Sequence, residues 1–244
     1  MNRTALFLLF VASSLFPLRA FAHHGRDFLV TSSFKTADRG SLFALWSSHY
    51  INSSHHDREY EFEPGLLYGI TDRWSLELHT HHGLSSGDFH TESVALETAL
   101  RLFGPGEVDG NEPVPEGKAP YSLAILFEFE KGVGDEHDRY EGRIIVGKDF
   151  DNVSLMANLI GEKALAEGER LQYQFALGLK KNLTPTLGLG VEFDGGIEKE
   201  EGYGLTPGIY ATIMPGLDLR VGPSIGLGNR PEDFKLRGTL LFEL

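Results

Sequence analysis

The chain has 244 residues, no cysteine and a formal net charge of −13. The missing cysteines exclude a disulfide-stapled scaffold, and the acidic balance excludes a nucleic-acid binder, whose partner's phosphates call for Lys and Arg. Apolar residues make up 41% of the chain and are spread through short segments punctuated by 29 glycines, which excludes a helical membrane protein and points to many strands.

Residues 1–22 read as a secretory signal peptide. Arg3 supplies the positive charge, Ala5 to Leu18 the apolar core, and Ala20-Phe21-Ala22 the small-x-small cleavage pattern. That core is well short of the ~20 residues a spanning helix needs. Cleavage after Ala22 takes 22 residues from 244 and leaves 222. The leader removes Arg3 and Arg19 but no acid, so the 22 basic residues fall to 20 against 35 acidic ones, a net charge of −15.

After the leader, His23 to Lys35 contains a short β-like run, Phe28 to Phe34, and residues 23–38 are the candidate plug of a lumen. Strands are expected at 39–50, 58–69, 72–82, 89–103, 119–130, 139–148, 152–161, 170–181, 185–195, 202–213, 216–227 and 234–244. The segment around 57–82 is the sharpest of these. Tyr60, Phe62, Leu66, Tyr68, Trp74, Leu76 and Leu78 share one face, while Glu59, Glu61, Glu63, Glu77, His79 and His81 share the other. Later strands repeat the alternation: Leu187, Leu189, Val191 and Phe193 oppose Gly188, Gly190, Glu192 and Asp194. A dry sandwich core does not accept charged residues on one face of every such strand without partners, whereas a wet lumen does.

The connections alternate too. One set is short, as at Asn182-Leu-Thr-Pro-Thr-Leu187 and Ile213-Met-Pro-Gly-Leu217; the other is polar, as at Lys131 to Asp138 and Gly195 to Glu201. Two ends of an antiparallel meander produce this when one faces a periplasm and the other the outside. The Pro- and Gly-rich segment 104–120 falls in the short-turn series yet is long.

The leader, the cysteine-free chain, the Gly-rich strands, the turn Leu183-Thr-Pro-x-Leu-x-Leu189 and a final strand with alternate apolar residues resemble a bacterial outer-membrane β-barrel. Among these the chain is most similar to the transporter-like barrels grouped with the phenol-degradation outer-membrane family. Many such barrels end in Phe; this chain ends in Leu244, with Phe242 before it. The fold class expected is therefore all-β, an antiparallel up-and-down transmembrane β-barrel of about twelve strands, spanning 39–244. The resemblance implies outer-membrane lipid and the barrel assembly machinery as partners.

The acid and histidine face carries the site expectations. Around a turn at 69–72, parity keeps odd residues opposite odd ones. One register pairs Glu61 with His79 and Glu59 with His81; the other pairs Glu63 with His79 and Glu61 with His81. The next hairpin brings Glu97 beside Glu77. Glu59, Glu61, Glu63, Glu77 and Glu97 are the candidate cation-binding wall, and His79, His81 and Glu61 the candidate metal set. Imidazole with carboxylate suits Zn or Cu, although a hydrated wall of mutually hydrogen-bonded polar groups has the same composition. His23-His24 and His55-His56 are weaker metal candidates. Arg101, Arg143, Lys180, Arg220, Lys235 and Arg237 fall on the acid face, and the outer-loop acids Asp135, Glu136, Asp138, Glu198, Glu200 and Glu201 bias the mouth towards cations. Neither a nucleotide loop nor a GxSxG elbow is present, so no enzyme is expected. The function expected is a channel or transporter-like barrel for small solutes or cations, with a divalent-metal link. Its alternatives are a non-conducting structural or binding barrel and a lipid hydrolase, against which Ser53, Ser54 and His55 lie in a loop rather than on a lipid face beside an orienting group.

Overall fold

The computed structural model describes residues 27–52, 58–85, 87–104, 121–198, 202–230 and 232–244. They form twelve strands: β1 (Leu42–Asn52), β2 (Glu59–Thr71), β3 (Trp74–Ser85), β4 (Asp88–Phe103), β5 (Ser122–Gly132), β6 (Arg139–Phe150), β7 (Val153–Ala164), β8 (Gln172–Thr184), β9 (Leu187–Gly196), β10 (Tyr203–Met214), β11 (Leu217–Leu227) and β12 (Phe234–Glu243). No expected boundary is off by more than three residues. Each strand pairs antiparallel with its sequence neighbours, and β1 closes the barrel on β12 from Phe43 opposite Glu243 to Asn52 opposite Phe234. The leader, His55-His56, Ser53-Ser54 and all but the first residue of the long segment 104–120 lie outside the described residues.

Closure gives the period-two alternation a physical meaning. Trp46, Leu66, Leu78, Leu96, Phe127, Ile144, Leu159, Leu177, Ile209 and Leu240 point outward, each 42–52% exposed. Together they make an apolar belt around the whole wall, far larger than water tolerates on a monomer and matched to hydrocarbon. Aromatic residues border the belt. Tyr68, Trp74, Phe103 and Phe150 stand near the short turns; Tyr60, Phe89, Tyr173 and Tyr203 stand near the polar loops.

Two apolar clusters lie inside. One joins Phe28 and Phe34 to Ala124, Leu126, Ile145 and Met156, and the other joins Ala37 to Phe43, Leu45, Leu67 and Leu241. Both include residues that precede β1, so the N-terminal segment runs within the barrel. The β-like run Phe28 to Phe34 joins no ladder. Its alternation is satisfied instead by side chains that pack against the inner wall.

The outward belt predicts the effect of Leu159→Arg, halfway along β7. In lipid vesicles it should lower unfolding stability by about 2–4 kcal/mol, the range for a cation near the hydrocarbon midplane. A denaturant titration showing no loss would mean that this surface is solvated by water.

Candidate functional site

The interior begins with Glu192 on β9, whose neighbours Val191 and Phe193 lie on the opposite, outward-facing side of the strand. Its side chain is 0% exposed. It accepts hydrogen bonds from the backbone N–H groups of Leu29 (2.7 Å), Val30 (2.8 Å) and Thr31 (2.6 Å), and from the Tyr210 hydroxyl (2.7 Å). Four donors fill the acceptor sites of one carboxylate. Asn158 on β7 continues the contact: the Ser32 N–H donates to its Oδ1 at 2.6 Å, and its Nδ2 donates to the Ser32 carbonyl at 3.0 Å. Arg143 on β6 donates to the Ser32 hydroxyl at 2.7 Å.

Residues 27–39 thus form an arch with its apex on Glu192 and Asn158. Lys35 ties the arch to its own first foot and to the wall, lying 3.1 Å from Asp27 and 3.2 Å from Asp149 on β6. Near the far foot, the Thr36 hydroxyl donates to the Asp72 carbonyl in the β2–β3 turn. Two wall glycines make room for this backbone. A Cβ at Gly178 would sit 2.8 Å from the Phe28 ring, and one at Gly69 would sit 2.7 Å from the Ala37 carbonyl oxygen. The arch therefore occupies the short-turn side of the lumen.

On the polar-loop side of the arch is a chamber of about 370 Å³, with Phe28, Leu29 and Val30 in its lining. Its charged lining comprises eight carboxylates (Glu63, Glu77, Glu97, Glu128, Glu130, Glu141, Glu162 and Asp194) against five guanidinium groups (Arg139, Arg143, Arg220, Arg230 and Arg237). With neutral histidines the balance is negative.

Five of those carboxylates form one row. Glu77 is opposite Glu97, Glu97 opposite Glu128, Glu128 opposite Glu141, and Glu141 opposite Glu162, across β3 to β7. Directly opposed like charges destabilise a sheet, so the row calls for compensation. Arg143 pairs with Glu141, and Arg139 lies 3.5 Å from Glu162. At the other end the row meets His79, whose Nδ1 is 3.2 Å from Glu77 and whose Nε2 is 3.7 Å from Glu128. Glu77, Glu97 and His79 are all buried.

The first hairpin corrects the expected registers. Its turn is Asp72-Arg73, not 69–72, and a bulge between Gly69 and Thr71 shifts the ladder. As a result His79 faces Gly65, Glu61 faces Gly83 and Glu59 faces Ser85. Strand pairing runs on through Thr71 before the chain reverses, which moves the pivot about two residues further along. Glu61 accordingly leaves the metal set expected of it. It sits instead with His49 (3.1 Å) and Lys235 (2.9 Å). Glu63 lies 3.6 Å from His49 and 3.8 Å from His81. Glu97 is opposite Glu77, at the position expected from the second hairpin.

Two residues escaped the sequence reading. Glu128 alternates with Phe127 and Phe129, and His49 alternates with Ser48 and Tyr50 on a strand whose Trp46 is outward; reading β5 and β1 by face would have placed both inside. Among the loop acids, Asp138 accepts from Lys131 at 2.7 and 2.8 Å, and this bonding holds its carboxyl below the usual range. Glu200 and Glu201 lie outside the described residues.

No family model matches the chain, and no curated protein matches it. Solved structures do. An outer-membrane channel from Pseudomonas putida F1 aligns over 86% of this chain and 98% of its own, with a TM-score of 0.61 at 13% identity. The KdgM porin aligns over 83% and 99%, with a TM-score of 0.56 at 9% identity. The β-domain of the Bordetella autotransporter BrkA aligns over 84% and 99%, with a TM-score of 0.53 at 12% identity. The chain therefore has the fold of bacterial outer-membrane β-barrels.

Glu192 accepts more hydrogen bonds from the arch than any other wall residue described, so Glu192→Gln should loosen the arch locally. A charged hydrogen bond contributes ~1.5–3 kcal/mol, and ~1.4 kcal/mol is tenfold in an equilibrium. Amide exchange in the peptide 27–39 should accelerate about ten- to hundredfold, with the strands unchanged. Hydrogen-exchange mass spectrometry reads both, and equal protection in the variant would mean that apolar packing alone holds the arch.

Proposed function

We propose that the protein is a channel-like barrel of the bacterial outer membrane, with its short turns in the periplasm, and that it passes small hydrated cations when the arch withdraws. The observation that carries this reading is a charged chamber of about 370 Å³ whose floor is a peptide segment held at its apex by polar groups of the wall. Such bonds exchange with water more readily than a packed core separates. A twelve-stranded interior is intermediate between barrels filled by side chains and those with open aqueous pores, so a short segment is enough to occlude it.

The sign of the lining supports cations. Eight carboxylates against five guanidinium groups leave the chamber negative, and a low-dielectric wall focuses that potential on a passing ion. A solved structure pairs the KdgM porin with oligogalacturonate, which carries carboxylates; the charge balance here disfavours a solute of that sign. The competing reading is a binding barrel whose arch never leaves, and the same measurement separates the two.

Planar-bilayer recordings of refolded protein should give small or rare openings for the wild type. A larger, cation-selective conductance should appear for Glu192→Gln and for a chain lacking residues 27–39. Reversal potentials in a salt gradient that favour anions would overturn the solute class. Identical, silent traces from all three proteins would leave a non-conducting barrel.

A further inference from the structure

We infer that the chamber holds a divalent first-row transition metal on His79 Nε2, His81 Nε2 and Glu128, with Glu77 and Glu63 orienting the two imidazoles from behind. This goes beyond passage through the barrel, because it requires only the folded lumen. The ligand atoms of His79, His81 and Glu128 all lie within 4.8 Å of one another. His79 and His81 are two residues apart on β3 and point to the same side, with ring centroids 4.9 Å apart.

The spacing favours a metal over a direct bond. His79 Nε2 and Glu128 are 3.7 Å apart, beyond hydrogen-bond range. Two ligands held ~2.0–2.1 Å from a tetrahedral zinc are ~3.4 Å from each other, so this pair needs only a small closure. The second nitrogens are also arranged for the task. His79 Nδ1 is 3.2 Å from Glu77 and His81 Nδ1 is 3.8 Å from Glu63. With a metal on Nε2, each carboxylate stands on the side where it can accept the Nδ1–H after a small closure, the usual support of a metal-bound histidine. His81 Nε2 is buried and has no hydrogen-bond partner among the described residues, as a nitrogen reserved for a metal would be. Three protein ligands leave a fourth position facing the chamber, which suits an exchangeable rather than a locked ion.

Two other groups of ligand types serve less well. His49 with Glu61 and Glu63 already has Lys235 at 2.9 Å from Glu61. Glu59, His90 and Glu92 lie at the rim, where His90 is exposed.

The test is equilibrium binding of zinc to the full mature chain, refolded in detergent and carrying His23→Gln, His24→Gln, His55→Gln and His56→Gln. Calorimetry should show one zinc per chain, and cobalt in its place should give the strong visible absorption of a tetrahedral site. Glu77→Gln should weaken zinc by about 10- to 100-fold. His79→Gln with His81→Gln should weaken it more, and His90→Gln should leave it unchanged. Zinc affinity that survives the double histidine change, or a folded chain with no saturable zinc binding, overturns the site. Should the double change prevent folding, unchanged affinity in Glu77→Gln and Glu128→Gln overturns it equally. Because conductance plays no part in this measurement, failure here and failure of the channel reading are distinguishable.

Discussion

Closure of β1 on β12 is the constraint on which everything else depends. A closed antiparallel sheet satisfies all its ladder N–H and C=O groups internally, so the wall can stand in hydrocarbon without an exposed edge. It also divides every strand into an inside and an outside with no third choice. One face must then be apolar all the way round, and the other is left as the place where charge can reside. Ten ladder pairs between the first and last strands, with the Leu244 N–H bonded to the Leu42 carbonyl at 2.9 Å just beyond them, complete that division.

A narrow closed interior then has to neutralise the charges it collects. Glu192 shows how: its acceptors are filled by three backbone N–H groups and a phenol, so a segment of the chain itself acts as counter-ligand. The arch is thus an electrostatic consequence of the wall as much as an appendage to it. The glycines at 69 and 178 are the steric counterpart, since the arch passes where a Cβ would collide.

Strand periods and faces were legible because alternation is local: Leu187 to Asp194 reveals its two sides without knowledge of any partner. Pairings that depend on one hairpin were legible only in part, the β3–β4 ladder carrying a bulge of its own between His81 and His82. Glu97 was found beside Glu77, but Glu61 was misassigned because a bulge between Gly69 and Thr71 and a pivot at Asp72-Arg73 leave no period-two trace. Contacts spanning several strands were harder still. Glu128 reaches His79 through two successive registers, β3 with β4 and β4 with β5, and the second passes through a segment of unusual length. The arch was foreseen only as a possible plug, since its bonds to Glu192 and Asn158 join residues more than 120 positions apart.

The kind of group that compensates each carboxylate divides the lumen into regions of different character. Where backbone N–H groups do it, as at Glu192, the contact is structural. Where guanidinium or ammonium does it, as at Glu141, Glu162, Asp194 and Glu61, the carboxylate is committed to its partner. Imidazole is different, because in its neutral form it offers a lone pair as well as an N–H. Carboxylates of the chamber meet such a group at Glu63, beside His49 and His81, and at Glu77 and Glu128, beside His79. The end of the glutamate row at His79 is thus the place where an imidazole, rather than a guanidinium, stands beside the carboxylates.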